Sequence, residues 1–297
     1  MKKLLLFSII GILVASTLFG FILTVATKFA LLDLFLTMAP TDKIMPKTNI
    51  LLVGVDNAFG HRTDTIMVLH TDPQNKVISL ISIPRDTLAL LPDRGLDKIN
   101  HAYAYGRIEL TRKTVANLLK IELPYYIIIN LSGITNVIDS LGGITLNVEK
   151  RMYYIDHAGG LDINLQPGWQ RLNGKEAMGY LRYRRDGGDF SRINRQQNFL
   201  RSLGDELIKK ENILRSPKLF FSLLSNIETN LSSRQALGLA LATRTAHELG
   251  NVKMATLPGT DMNIDGIYYW KIDEERLRTI VNSLVNGQGV LPAEENY

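Results

Sequence analysis

Leu4 to Thr27, LLLFSIIGILVASTLFGFILTVAT, is a run of 24 residues without a charge, behind a short basic start at Lys2 and Lys3. At about 1.5 Å per residue it makes roughly 36 Å of helix, enough to cross a hydrocarbon core of about 30 Å. A cleavable signal peptide usually carries an apolar region of only about 7–15 residues, so a retained anchor is the better reading. Two lysines before the span and a single Lys28 after it favour a cytoplasmic N-terminus. The continuation FALLDLFLTMAP (29–40) extends the anchor or lies at the interface. Two regions follow: residues 1–40 as cytoplasmic tip, transmembrane anchor and juxtamembrane segment, and residues 41–297 as an extracytoplasmic domain.

The outward part is long enough for one large α/β domain and shows no internal repeat or low-complexity linker. The chain has no cysteine, so no disulfide holds it, and its formal charge is +5. A basic protein outside the membrane meets anionic lipids and wall polymers rather than nucleic acid.

NILLVGVD (49–56) reads as a buried strand. DTIMVLHT (64–71) and KVISLISI (76–83) flank the turn-like Asp72-Pro73-Gln74-Asn75 and read as a hairpin. Residues 108–121 place Leu110, Val115, Leu118, Leu119 and Ile121 near one helical face. YYIIIN (125–130) is another buried strand, 132–143 a short helix opened by Ser132, and ITLNVE (144–149) a half-exposed strand. Helices are expected over 174–185, from Ser191 to about Lys210, over 216–228 and 233–249, and from Asp273 to Asn286, with a strand at 252–258. Apolar strands interleaved with helices indicate a layered α/β domain, and the hairpin makes its central sheet mixed.

Three stretches place polar residues where a strand has just ended. The first carries Asp56, Arg62 and Asp64; the second carries Arg85 and Asp86, followed by Lys98; the third is YLRYRRDGGDFSRINRQQ (180–197), with five arginines and no lysine. A solvated surface would mix both cations. Arginine alone points to forked, bidentate recognition of carboxylate or phosphate. Each feature also has a bland explanation: Asp56 as a turn residue, Asp64 as an edge charge, and Asp86 as a helix cap paired to Arg85. His61, His70, His101, His157 and His247 show no zinc-ligand spacing, and His70 and His101 read as structural or surface residues. No phosphate-binding loop of the Gly-x-x-x-x-Gly-Lys type occurs, so no nucleotide is expected.

Taken together, the set suits one chemistry. Two carboxylates suit a hard divalent cation such as magnesium, and arginines take the remaining charge of a pyrophosphate. Phosphoryl transfer needs positioning and charge stabilisation above all. Outside the membrane, where ATP is not supplied, a substrate with its own phosphoanhydride removes the need for it.

LLVGVD, RTDTIM, SIPRDT, KINHAYAYG, LGGI and the Tyr-x-Arg-x-Arg segment leading to RINRQQ resemble the LytR-CpsA-Psr family in order and spacing. The resemblance implies a three-layer α-β-α domain with a mixed central sheet and an apolar pocket for a polyprenyl tail, preceded by one N-terminal transmembrane helix. It implies a magnesium-dependent phosphotransferase, with manganese as the alternative ion. Such enzymes move an anionic glycopolymer (wall teichoic acid, capsule or a related chain) from a polyprenyl-pyrophosphate carrier to the C6 hydroxyl of muramic acid in peptidoglycan.

By the same resemblance, Asp56 and Asp64 are the metal-associated aspartates, and Arg62, Arg85 and Asp86 form the catalytic set. Arg85, Lys98, Arg182, Arg184, Arg192 and Arg195 bind pyrophosphate, with Gln196 and Gln197 as the glutamine candidates of the same wall. Asp86 and the metal aspartates are the candidates for general base. The chain departs from the family in having Ala58 where an arginine is common, and Arg107 where glycine is common. Two other readings use the same residues: a non-catalytic regulator that binds polyprenyl phosphate or wall polymer, and a polyprenyl-pyrophosphate hydrolase. Docking of the arginines on anionic headgroups is a weaker fourth, since that attraction does not select arginine over lysine.

Overall fold

Apolar runs and their turns set the elements. In a computed structural model of the chain, the described residues are 44–55, 63–156, 161–183, 188–207, 209 and 227–285. Strands β1 (Thr48–Val55), β2 (Thr63–Asp72) and β3 (Val77–Ile83) are followed by the hairpin β4 (Leu88–Leu91) and β5 (Gly95–Lys98). Helix α1 (His101–Leu119), β6 (Tyr125–Asn130) and α2 (Leu131–Ser140) come next. Then come β7 (Ile144–Val148), β8 (Met152–Asp156), β9 (Leu161–Leu165), β10 (Gly168–Leu172), α3 (Gly174–Arg182) and α4 (Gly188–Leu207). The C-terminal part holds β11 (Ile227–Thr229), α5 (Ser233–Glu248), β12 (Val252–Thr256), β13 (Gly259–Ile264), β14 (Ile267–Ile272) and α6 (Glu274–Leu284).

The central sheet runs β11-β6-β1-β2-β3-β12 and is mixed: β1 pairs parallel with β6 and β3 with β12, while β2 runs antiparallel to both its neighbours. Side chains alternate across a strand. Leu51, Val53 and Val55 therefore join Val68, Ile81 and Ile83 against α1 and α6, burying Val115, Leu119, Leu277 and Ile280. Ile50 turns the other way and packs with Met45 and Leu239 of α5. Helices thus flank the mixed sheet. A second core lies beside it, where Ile144, Leu146, Met152, Ile163, Leu165 and Leu172 of the smaller sheets pack with Tyr180 and Phe199 of α3 and α4.

Local chemistry explains the helix ends. Asn173 and Glu176 form a capping box at α3, Ser232 and Gln235 form one at α5, and Asp273 accepts the amides of Glu275 and Arg276 at α6. Gly174 is required by packing, since a Cβ there would lie 2.3 Å from the carbonyl oxygen of Thr135 in α2. Helix α2 begins at Leu131, so Ser132 sits inside it and does not cap it. Helix α1 begins at His101, seven positions before the expected start, because it continues through a kink at Gly106 and Arg107. Arg107 has φ 51° and ψ −148°, close to a region that glycine occupies readily and other residues enter at a cost of about 1–3 kcal/mol. Residues 227–228, expected to end a helix, pair instead with β6 as part of β11.

Among the described residues, no helix is long and apolar enough to cross a membrane; the expected anchor, 4–27, lies outside them. So does the expected helix over 216–226.

His70 of β2 is 3% exposed, and its Nδ1 lies 2.7 Å from Oδ1 of Asn49 on β1. Burial, then the charge of Lys47, lower the imidazole to about 4, against an opposing pull from Asp72. The folded value lies below the unfolded one, so the unfolded chain binds the extra proton between about pH 6.5 and 4. Stability is complete above that window and falls with pH, by roughly 3 kcal/mol near pH 4. Urea unfolding of the wild type and His70→Gln at pH 7 and pH 4.5 should show the wild type losing more stability of the two.

Candidate functional site

β1, β3, β6 and β12 all end at one edge of the sheet, and β2 starts there. In open α/β sheets, ligands collect beyond the carboxyl ends of strands. At this edge the β1–β2 register slips: Gly54 pairs with Thr65 and Val55 with Thr63, leaving Asp64 as the extra residue of a bulge. A bulge re-aims a position and is common beside active sites. The backbone of Asp64 therefore lies opposite the strand end that leads into Asp56. Asp56, Arg62 and Arg184 lie outside the described residues, as does the side chain of Asp64.

Where β3 ends, Pro84 begins a turn closed by Thr87, whose amide and hydroxyl both donate to the Pro84 carbonyl, the hydroxyl at 2.6 Å. This turn presents Arg85 and Asp86. Asp86 is 8% exposed, and its two oxygens each take a cation: Lys98 Nζ at 2.7 Å on Oδ1 and Arg85 Nε at 3.3 Å on Oδ2. A carboxylate so placed organises two positive groups. Its bonding resembles a positioning role more than that of a base.

The surrounding frame is tied to the same turn. Asn100 donates its amide to the Arg85 carbonyl, Ile99 to that of Thr87, and Trp270 to that of Asp86. The Lys98 ammonium lies 5.5 Å from the Tyr269 ring centroid.

Helix α4 closes the edge from above. Gln196 donates to Thr65 Oγ1 at 2.7 Å, and Gln197 donates to Ser82 Oγ at 3.0 Å and Thr256 Oγ1 at 3.3 Å. Three strands are thus bridged by two adjacent glutamines. Arg192, 2% exposed, sits one turn before Gln196, so it shares the helix face that meets β2. Arg195 is fully buried, with one nitrogen 3.3 Å from Glu149 Oε1 and another donating to the Tyr183 carbonyl. Its charge serves the join between α4 and the second core. Arg182 ends α3, and the chain passes into extended backbone at Tyr183.

Arg85, Asp86 and Lys98 therefore form one contiguous group, and Gln196 and Gln197 line the sheet edge from which it springs. Sequence reading passed over Thr65, Ser82, Thr256, Tyr269 and Trp270. Only the fold brings these together, and their types carried no signal. It also passed over Asp97, which accepts from His101 Nδ1 at 2.9 Å, the Lys98 amide at 2.7 Å and the Tyr105 hydroxyl at 3.2 Å. The four-residue spacing of Asp97 and His101 was visible. Burial raises the Asp97 carboxyl, but the hydrogen bonds from His101, Lys98 and Tyr105 and the charge of His101 outweigh it and leave the group below its ordinary range.

The LytR_cpsA_psr family profile matches residues 37–286 of this chain. The chain belongs to that family. Among LytR-CpsA-Psr proteins, it is 34% identical over 241 residues to the polyisoprenyl-teichoic acid–peptidoglycan teichoic acid transferase TagU of Bacillus licheniformis, covering 80% of this chain and 76% of the relative. It is 38% identical over 219 residues to the regulatory protein MsrR of Staphylococcus aureus, covering 71% of this chain and 64% of that one. The crystal structure of Bacillus subtilis TagV superposes with a TM-score of 0.70 at 29% identity, over 80% of this chain and 97% of the other. TagT bound to LI-WTA gives a TM-score of 0.66 at 29% identity, over 82% and 91%.

Proposed function

We propose that this protein transfers an anionic glycopolymer from a polyprenyl-pyrophosphate carrier to peptidoglycan, joining it to muramic acid through a phosphodiester. The observation that carries this reading is the Arg85–Asp86–Lys98 group, which stands on the same sheet edge as the Asp64 bulge, Gln196 and Gln197. The teichoic acid transferase named among its relatives, and TagT with its bound LI-WTA, support the same chemistry. Arg85 and Lys98, preset by Asp86, meet the diphosphate from one side. Arg182, Arg184, Arg192 and Arg62 complete the cationic wall. The acceptor hydroxyl oxygen attacks the phosphorus next to the sugar, and the bond to the bridging oxygen breaks, so that polyprenyl phosphate leaves with the electron pair.

The donor set suits magnesium, with manganese as the alternative: two aspartates, Asp56 next in sequence after the end of β1 and Asp64 at the bulge of β2. Bound there, the ion would offset charge on the diphosphate. The reading further places a three-layer α-β-α domain outside the membrane, anchored by the single span in residues 1–40 with a cytoplasmic N-terminus. A lipid-linked donor requires that proximity to the bilayer.

The test is transfer of labelled polymer from a synthetic lipid-linked donor to peptidoglycan by the full chain in proteoliposomes. EDTA should stop the reaction, magnesium should restore it, and Asp64→Asn should lower the rate at least about 10²-fold at saturating donor. Transfer that is indifferent to both would overturn the metal-dependent reading. The regulatory name of the staphylococcal relative favours one alternative, a donor-binding regulator. Tight donor binding by a protein that makes no product under any of these conditions would decide for it.

A further inference from the structure

The proton of the acceptor hydroxyl needs a destination, and the described part of the site narrows where it can go. Asp86 already holds Lys98 and Arg85 on separate oxygens. Proton uptake there would weaken both contacts as negative charge builds on the diphosphate. Next to this group stands a pair that the transfer reading has not used. His101 opens α1, and its Nδ1 lies 2.9 Å from both oxygens of Asp97.

We propose that His101 is the general base for the acceptor hydroxyl and that Asp97 is its positioning residue, an inference that rests on the transfer reading above. An ionised carboxylate only accepts, so the hydrogen of a neutral His101 ring resides on Nδ1 and the lone pair on Nε2, the ring nitrogen that Asp97 does not hold. The fixed orientation comes from four further contacts on Asp97 and Tyr105. The Lys98 amide and the Tyr105 hydroxyl hold Asp97 from two sides. The Tyr105 ring meets the His101 ring edge-on at 5.9 Å, and Arg94 lies 4.8 Å from the Tyr105 centroid. The side chain of His101 is 22% exposed, so an incoming sugar can reach it.

The pair is also tied to the diphosphate group. Lys98, the neighbour of Asp97, grips Asp86, and Asn100, the neighbour of His101, donates to the Arg85 carbonyl at 3.2 Å. In the step, the acceptor O–H bond breaks as its oxygen bonds to phosphorus. The proton moves to Nε2, the resulting imidazolium is paired with Asp97, and the electron pair of the broken P–O bond leaves on polyprenyl phosphate. Solvent then takes the proton from His101. The titratable groups against the ring are Asp97 on β5 and Tyr105 on α1; Arg94 in the β4–β5 turn lies over Tyr105, and the Lys98 ammonium is turned to Asp86.

The experiment compares His101→Gln and Asp97→Asn with wild type and Arg85→Ala in proteoliposome transfer across pH 5 to 9. Glutamine keeps a donor toward Asp97 but takes no proton. His101→Gln should lower kcat about 10²-fold or more, leave the donor KM within about twofold, and abolish the fall in kcat on the acid side. Asp97→Asn, with an intact His101, should lower kcat with the donor KM again unchanged. Wild-type kcat in His101→Gln with its acid limb retained would overturn the proposal, as would equal losses in donor binding and rate. If His101→Gln fails to fold, the kcat and KM of Asp97→Asn decide the matter. Arg85→Ala separates the two readings: if it too transfers normally, the transfer site itself is misplaced, whereas its inactivity beside an active His101→Gln removes the histidine alone.

Discussion

Arg85→Ala should lower polymer transfer by at least about 10³-fold, the scale on which a single arginine stabilises a phosphoryl-transfer transition state. The side chain is 25% exposed, so its removal opens no core cavity. The turn itself should survive, because the Pro84–Thr87 hydrogen bonds and the backbone contacts from Asn100 and Trp270 do not involve the guanidinium. Asp86 keeps Lys98 at 2.7 Å and so is not stranded as a buried, unpaired charge. The melting temperature should therefore stay within a few degrees while product formation disappears. Arg85→Lys should recover only part of the rate, because a point charge replaces the planar fork. A variant that transfers at the wild-type rate would show that the diphosphate does not sit at this turn.

The second large effect is on stability. Arg195→Ala should cost about 3 kcal/mol, from truncating a fully buried side chain and losing its hydrogen bonds. The guanidinium is fully buried, paired with Glu149 and bonded to the Tyr183 carbonyl, and its ring-stacking partner Tyr183 lies 5.7 Å away. Truncation leaves a carbonyl without its donor and a void beside Tyr180, which is itself fully buried. Burial, then the charge of Glu149, raise the Tyr180 hydroxyl well above its usual value, so it stays neutral beside the Arg195–Glu149 pair. Arg195→Met, which keeps the apolar stem, should recover part of the loss. Urea denaturation measures both. A variant of normal stability that loses donor binding would assign Arg195 to the ligand instead.

Arg195 and Gln196 show why part of the site was hidden in the sequence. Adjacent in the same arginine-rich stretch, they looked like parts of one polar wall. Helical geometry rotates each successive side chain by about 100° and separates adjacent positions onto different surfaces. Gln196 reaches the sheet edge while Arg195 reaches Glu149. The hairpin of β2 and β3 was legible because Asp72-Pro73-Gln74-Asn75 is strong turn chemistry, and β1 and β6 because uninterrupted apolar residues suit a strand covered on both faces. The early start of α1 was hidden by Gly106, which reads as a breaker yet sits at a kink the helix passes through. Tyr269 and Trp270 could not be placed, since only the bridge from Thr87 to Trp270 brings them to Asp86. The short outer hairpins were missed because residues such as Tyr153 and Ile155 alternate weakly, with one face left open to water.

The strand order carries a consequence for how the chain is made. Both borders of the central sheet, β11 and β12, come from the C-terminal third, whereas β1, β2 and β3 form its middle from the N-terminal third. A ribosome releases the middle first. Until Val252 emerges to pair with Ile78, and Ile227 with Ile129, β3 and β6 present unpaired amides and carbonyls on either side. Such exposed edges recruit strands from other chains, so the nascent protein passes through an interval in which shielding must come from outside itself.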